Sequence, residues 1–162
     1  MGLFTRNGRA LTAKGIKPVC PFQQVFQFTY AFGAFSPING NKFVLELPEC
    51  SSRTFQLFLD EFSQYNLDEL KIMLLDNGAF HKAQSLKIPD NIAPVFIPPY
   101  SPELNPAEKI WWTWKRAFTN QLFASLDQLS GFIETQVIQT TPQKILSLCR
   151  YEYIFSNYWT IV

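Results

Sequence analysis

The chain has 162 residues, 47% of them apolar and 16% aromatic, with sixteen phenylalanines; that suffices for one buried core and argues against disorder. No run of eighteen or more apolar residues offers a membrane span, and Met1–Arg6 lacks the charged-then-apolar pattern of a secretory signal. The net charge of +1 is unevenly spread, with five bases and no acid in residues 1–45 and nine bases against thirteen acids in the remainder.

The opening stretch through Thr12–Pro18 is polar and interrupted by glycine, which predicts a loop or strand-edge arm. It carries Arg6, Arg9, Lys14 and Lys17; such an arm suits contact with a phosphate backbone, and equally suits a solvated basic loop. Val25–Phe35 and Phe43–Leu47, rich in aromatic and β-branched residues, flank Asn39-Gly40 and predict a hairpin. Ser51-Ser52 is a helix-capping pair, after which Phe55, Phe58, Leu59 and Phe62 fall on one helical face. Ile72–Leu75 is a short apolar run ending in Asp76, the pattern of a strand buried on both faces with a polar carboxyl tip. Ala93–Ile97 is a second such run, stopped by Pro98-Pro99. Asn105 as cap and Pro106 at the first helical position predict a helix to about Phe118. Further helices are expected from Ser125-Leu126-Asp127 through Val137, and from Thr141-Pro142. Without a repeat, a low-complexity stretch or a linker, residues 1–162 are expected to form a single α/β domain, a mixed sheet flanked by helices. Cys20, Cys50 and Cys149 are too widely spaced for a disulfide framework or zinc site, and fit thiols of a reducing cytoplasm.

Two segments can carry chemistry. In Leu75-Asp76-Asn77-Gly78-Ala79-Phe80-His81 the acid sits at the carboxyl end of a strand, where ligands gather in open α/β sheets, and its oxygens suit magnesium or manganese. The alternative is that Asp76 only caps the Asn77-Gly78 turn. In Pro98-Pro99-Tyr100-Ser101-Pro102-Glu103-Leu104-Asn105-Pro106-Ala107-Glu108, stiff prolines fix how Glu108 enters the first turn of its helix. Here the alternative is a capping box between Asn105 and Glu108, with the helix dipole favouring the carboxylate in either role.

Together, Leu-Leu-Asp-Asn-Gly-Ala-Phe-His and Pro-Pro-Tyr-Ser-Pro-Glu-Leu-Asn-Pro-Ala-Glu-Lys-Ile-Trp resemble the DDE transposases of the mariner-like insertion-sequence group, and the likeness extends over nearly the whole chain. The resemblance implies a ribonuclease-H-like fold, DNA strand cleavage and transfer in transposition, and two Mg2+ or Mn2+ ions. Carried over by position, Asp76 is the second catalytic and metal-binding acid and Glu108 the third. The family's first Asp lies just upstream of the segment matching Gly2–Arg6; here no aspartate precedes Asp60, and Glu46 and Glu49 fall at the end of the second hairpin strand.

The expectation is therefore a domain with a truncated first strand and without the helix-turn-helix region that reads transposon ends. Such a chain would be inactive alone and prone to marginal stability, aggregation or dimerisation. The expected partners are transposon-end DNA, a second copy or an intact transposase, with no membrane; the expected location is the cytoplasm, on the nucleoid when DNA-bound. The rival readings are a working two-acid nuclease and a non-catalytic nucleic-acid-binding or transposase-regulating module.

Among the remaining residues, His81 is expected to be a partly buried structural histidine, and Tyr100 and Asn105 to shape their loop. Trp111 and Trp114 are expected in the core, with Trp112 open between base stacking and a helix rim. Lys109, Lys115 and Arg116 are candidates for phosphate contact or for a solvated face. The aromatic run Tyr151–Trp159 is expected to pack back on the body or on another subunit.

Overall fold

The computed structural model describes residues 1–8, 11–19 and 21–156. Arg9, Cys20 and the Asn157–Trp159 end of the aromatic run lie outside the described residues.

Its centre is the predicted hairpin. Strands β3 (Tyr30–Phe35) and β4 (Lys42–Leu47) pair antiparallel from Tyr30 opposite Leu47 to Phe35 opposite Lys42. Gly40 in the connection has φ of 76°, and a Cβ there would stand 2.7 Å from the Pro142 carbonyl oxygen, so both backbone and space demand glycine. The period-2 alternation gives the hairpin two apolar faces. Phe32, Phe43, Leu45 and Leu47 face one cluster, while Ala31, Phe35 and Val44 face the other.

Helix α1 (Ser52–Gln64) covers the first face. Ser51 caps it as expected, its hydroxyl accepting from the Thr54 N–H while the Thr54 hydroxyl accepts from the Ser51 N–H. Phe55, Phe58 and Leu59 are almost wholly buried, and Phe58 has ring contacts with Phe32, Phe43, Phe55 and Phe62 at centroid distances of 5.5–6.2 Å. Helices α2 (Ala107–Phe118), α3 (Leu126–Gln139) and α4 (Pro142–Cys149) bury Trp114, Leu129 and Ile145 in the cluster on the second face. The Trp114 indole N–H donates to the Thr140 hydroxyl at 2.9 Å, which satisfies a polar group in a fully buried position. Lys42 reaches from β4 to donate to the carbonyls of Val137 and Thr140, capping the end of α3 with a cation where the helix dipole favours one.

Strands β5 (Lys71–Leu75) and β6 (Ile92–Phe96) pair in parallel, Lys71 opposite Ile92 and Leu75 opposite Phe96. The expectation that both are buried on two faces fails: Ile72 is 56% exposed and Val95 and Phe96 are also exposed, because β5 and β6 pair with one another and not with the hairpin. Nor do the strands make one continuous mixed sheet. Among the described residues they form three two-stranded sheets, β1–β2, β3–β4 and β5–β6. The Val25–Phe35 run, expected as one strand, divides at Thr29. Its first half, β2 (Gln24–Phe28), pairs with β1 (Gly2–Phe4), and only its second half joins the hairpin. Thr29 is buried, with its hydroxyl on Glu46 at 2.7 Å and its N–H on the Met1 carbonyl at 2.8 Å.

Phe58→Ala is expected to lower the unfolding free energy by about 3–5 kcal/mol through lost burial and an unfilled cavity. Urea denaturation of the two proteins followed by tryptophan fluorescence measures it.

Candidate functional site

Asp76 leaves the carboxyl end of β5. The ladder runs one step beyond the paired strands, since the Ile97 N–H donates to the Leu75 carbonyl at 2.9 Å and the Asn77 side-chain amide to the Ile97 carbonyl at 2.6 Å. These bonds tie the segment after β5 to the start of the proline-rich loop after β6. A 3-10 turn at Ala79–Lys82 then folds back, with the Lys82 ammonium donating to the Asn77 side-chain oxygen. The Asp76 carboxylate is exposed. Its Oδ1 accepts from the Gly78 N–H at 2.9 Å and meets His81 Nδ1 at 2.7 Å. The turn-capping role weighed from the sequence is thus present, but it engages one oxygen; Oδ2 has no hydrogen bond among the described residues. His81 has only 12% of its side chain exposed, with Phe80 and Phe55 at ring-centroid distances of 4.0 and 4.6 Å. It is largely buried, as expected of a structural histidine, yet its polar edge is on the candidate acid.

Glu108 is delivered by the loop from Ile97. Tyr100, fully exposed, has φ of 60°, a left-handed conformation that costs a non-glycine residue about 1–2 kcal/mol. After a 3-10 turn at Pro102–Leu104, Asn105 Oδ1 accepts from the Ala107 N–H at 3.1 Å and the Asn105 carbonyl from the Glu108 N–H at 3.1 Å. The helix begins at Ala107, one residue later than the sequence suggests, with Pro106 as its cap position. A capping box would require the Glu108 carboxylate on the Asn105 N–H. That N–H instead donates to the Pro102 carbonyl at 3.0 Å. The Glu108 side chain is half-buried, with no hydrogen bond or ion pair among the described residues.

The loop is held from behind by the chain's later residues. Cys149 Sγ donates to the Pro106 carbonyl at 3.5 Å and the Tyr153 hydroxyl to the Leu104 carbonyl, while the Lys109 ammonium lies 4.2 Å from the Tyr151 ring centroid. The described part of the aromatic run therefore packs on the body, as expected. Burial pushes the Cys149 thiol up to about 11, with the Lys109 charge opposing.

The two acid-bearing segments meet β3 at consecutive residues. Phe80 lies edge-on to Phe32 at 6.4 Å, and the Trp111 ring tip stands 2.9 Å from where a Gly33 Cβ would be. Phe32 and Gly33 point to opposite faces, so Asp76 and Glu108 come on segments that approach one level of the hairpin from its two sides. No three His, Cys, Asp or Glu groups stand together as a metal cluster among the described residues. Cys50 is a neighbour of Asp76 that sequence reasoning missed: burial, then the Asp76 charge, raises its thiol pKa. No motif or periodicity connects residues 50 and 76.

The basic candidates are scattered. Lys14 and Lys17 are exposed on the arm. Arg6 is exposed beside the end of α2, where its carbonyl accepts from the Asn120 N–H at 3.0 Å and the Gly8 N–H donates to the Asn120 side chain at 2.9 Å. Lys115 and Arg116 are exposed in the last turn of α2, and the Arg116 guanidinium lies over the Trp112 ring at 5.3 Å, with Trp112 60% exposed. Arg6, Trp112, Lys115 and Arg116 thus gather toward one end of α2, whereas Lys109 stands at the other. Trp114 is in the core, as expected, and the half-buried Trp111 packs against it.

A family model described as DDE superfamily endonuclease matches residues 3–130. The chain belongs to this family. Enzymes of the DDE transposase family generally use divalent metal ions. A protein of Sinorhizobium fredii (strain NBRC 101917 / NGR234), y4pE/y4sA, described as uncharacterized, is 36% identical over 104 residues, covering 63% of this chain and 77% of its own. The fold matches a solved structure, the Mos1 transposase paired-end complex with left transposon end, with a TM-score of 0.66 and 15% identity over 92% of this chain and 48% of that one. This DDE domain therefore shares the α/β fold of that transposase and spans about half its length. No helix among the described residues is long and apolar enough to cross a membrane.

The Cys149 shift implies a pH dependence. With its pKa pushed up to about 11 by burial, from an ordinary 9.0, the thiol's stabilising contribution is full below pH 9 and lost as pH rises through 11. Urea denaturation across that range should show stability falling less steeply in Cys149→Ala than in the parent.

Proposed function

We propose that this chain is a transposase catalytic domain, residues 1–162 acting as one unit, in which Asp76 and Glu108 are two of the acids that hold divalent cations for DNA strand cleavage and transfer. The observation that carries the proposal is the state of the two carboxylates. Asp76 has an oxygen without a hydrogen bond at the carboxyl end of parallel strands, and half-buried Glu108 is on a braced loop with its expected capping partner engaged elsewhere. A carboxylate oxygen without a hydrogen-bond partner is available to a bound cation. Two hard oxygen donors fit Mg2+ or Mn2+. When bound, a pair of such ions supplies an activated oxygen nucleophile and stabilises the leaving oxygen of an in-line displacement at phosphorus.

Within this reading the chain's own groups position and bind. Asp76 presents Oδ2, and the tie between Asn77 and Ile97 keeps the strand end beside the loop that carries Glu108. Arg6, Lys14, Lys17, Lys115 and Arg116 meet DNA phosphates, Arg9 with them by its place in the same arm, and Trp112 offers a stacking surface. Lys109, already against Tyr151, is the least free of the candidates to reach DNA.

In this proposal a further ligand completes the site and the two acids alone do not cleave DNA; Glu46 is not free for that role, being engaged with the hydroxyls of Thr29 and Ser130, each at 2.7 Å. The absence of a three-ligand cluster among the described residues also favours a second reading, a module that binds transposon-end DNA or a full transposase without catalysis.

Isothermal titration with Mn2+ separates the two. Catalytic descent predicts binding that Asp76→Ala and Glu108→Ala each weaken at least tenfold, roughly the loss of a ligand oxygen worth about 1.4 kcal/mol or more. A pure binding module retains its DNA affinity in the double variant and shows no Mn2+ site. Efficient Mn2+-dependent cleavage of end DNA by the isolated chain, abolished by Asp76→Ala, would overturn the inactivity.

For DNA, Lys115→Ala with Arg116→Ala should weaken binding across sequences alike and reduce the slope of log affinity against log salt by about 2. Fluorescence anisotropy over a salt series reads it.

A further inference from the structure

We infer that His81 is a positioning residue that also sets metal preference, by committing one oxygen of Asp76 and leaving the other as a single donor. This rests on the reading of Asp76 as a metal ligand. The contact is specific: His81 Nδ1 lies 2.7 Å from Asp76 Oδ1 and 3.4 Å from the Asp76 carbonyl oxygen. The Gly78 N–H fills a second site on the same Oδ1 at 2.9 Å. Nδ1 donates its proton to the carboxylate, which fixes the tautomer.

The ring has little freedom to leave. Phe80 and Phe55 flank it, and only 12% of its side chain is exposed, against 55% for Asp76. The adjoining backbone repeats the constraint, since the His81 N–H donates to the Gly78 carbonyl at 3.0 Å and closes the 3-10 turn. Gly78 is close-fitted as well: a Cβ would sit 3.1 Å from Asp76 Oδ1 and 3.4 Å from His81 Nδ1. Two groups, the His81 ring and the Gly78 N–H, therefore converge on one oxygen of a carboxylate that is otherwise exposed.

The consequence is chemical. A carboxylate with Oδ1 saturated can give a cation one oxygen only. Ca2+ takes six to eight oxygens and often draws both from one carboxylate, whereas Mg2+ and ions of like size keep octahedral shells built from single carboxylate oxygens and water. His81 thus disfavours the bidentate mode and, with it, the larger ion. Hydrogen-bonded groups behind a ligand also set its orientation, and their removal typically weakens a metal site 10–100-fold.

The test uses the full chain and two replacements of similar polarity. In His81→Asn the amide nitrogen falls near the place of Nδ1; in His81→Gln it falls near that of Nε2. Mn2+ binding is read by the electron paramagnetic resonance of free ion, Ca2+ binding by calorimetry, and folding by circular dichroism melts. The expected result is Mn2+ affinity within about threefold of the parent for His81→Asn, and a loss of roughly tenfold for His81→Gln with a smaller Mn2+-over-Ca2+ preference. Equal affinity and preference in His81→Gln and the parent would overturn the inference, as would equal impairment of two folded variants. Asp76→Ala separates the levels. Mn2+ binding that survives Asp76→Ala, or a parent that binds none, removes the site and the inference with it; binding lost in Asp76→Ala but unchanged in His81→Gln removes only the role of His81.

Discussion

Strand β3 alternates between two chemistries, and both segments that carry the candidate acids pack against that alternation. Phe32 turns to one side, against Phe55, Phe58 and Phe80. The next residue, Gly33, turns to the other and has no side chain, so that the Trp111 ring can lie against the strand. A methyl group at Gly33 would meet the tip of that ring at 2.9 Å, and Phe35 crowds the same space at 3.0 Å. Trp111 is three residues after Glu108 on α2, and Phe80 is four after Asp76. Displacement of either ring would carry an acid with it. Cores resist such displacement because they are packed to near-crystalline density and respond to small volume changes by shifting whole elements.

That arrangement explains which parts of the molecule were legible in the sequence. Helices announce themselves locally: Ser51, Ser125 and Thr141 cap α1, α3 and α4 through their own hydroxyls, and the face of Phe55, Phe58 and Leu59 is buried where its period places it. The hairpin too is local, closed by a glycine with positive φ. Strand partners are not local. Ile72 and Val95 have the side chains of a doubly covered strand but lie in a two-stranded pair, because apolar composition does not say which other segments will pair. The division at Thr29 was invisible for the same reason; it depends on bonds to Glu46 and Met1, both distant in sequence.

For the site, the sequence offered pairs of exclusive readings that the observed hydrogen bonds do not make exclusive. Asp76 was either a turn cap or a ligand, but a carboxylate has two oxygens, and capping the turn consumes one. Asn105 and Glu108 had the spacing of a capping box, which sequence alone cannot distinguish from a loop whose earlier turn claims the same N–H. The Pro102 carbonyl makes that claim. Three prolines and the strained Tyr100 act here not by pointing the acid directly but by setting a turn that leaves the acid nothing to cap.

The last contribution comes from residues beyond the family match. The matched region ends at residue 130, yet the carbonyls of Leu104 and Pro106, just ahead of Glu108, bond to Tyr153 and Cys149. Lys109, just after it, lies over Tyr151. The prolines of this loop have no N–H to give, so its internal bonds are few and its carbonyls take further donors from elsewhere. The segment from α4 onward supplies them. It follows that the motif supplies the candidate acids, while the stiffness with which Glu108 is held depends on a segment that contributes nothing to the motif and could diverge in sequence so long as it kept donors at those two carbonyls.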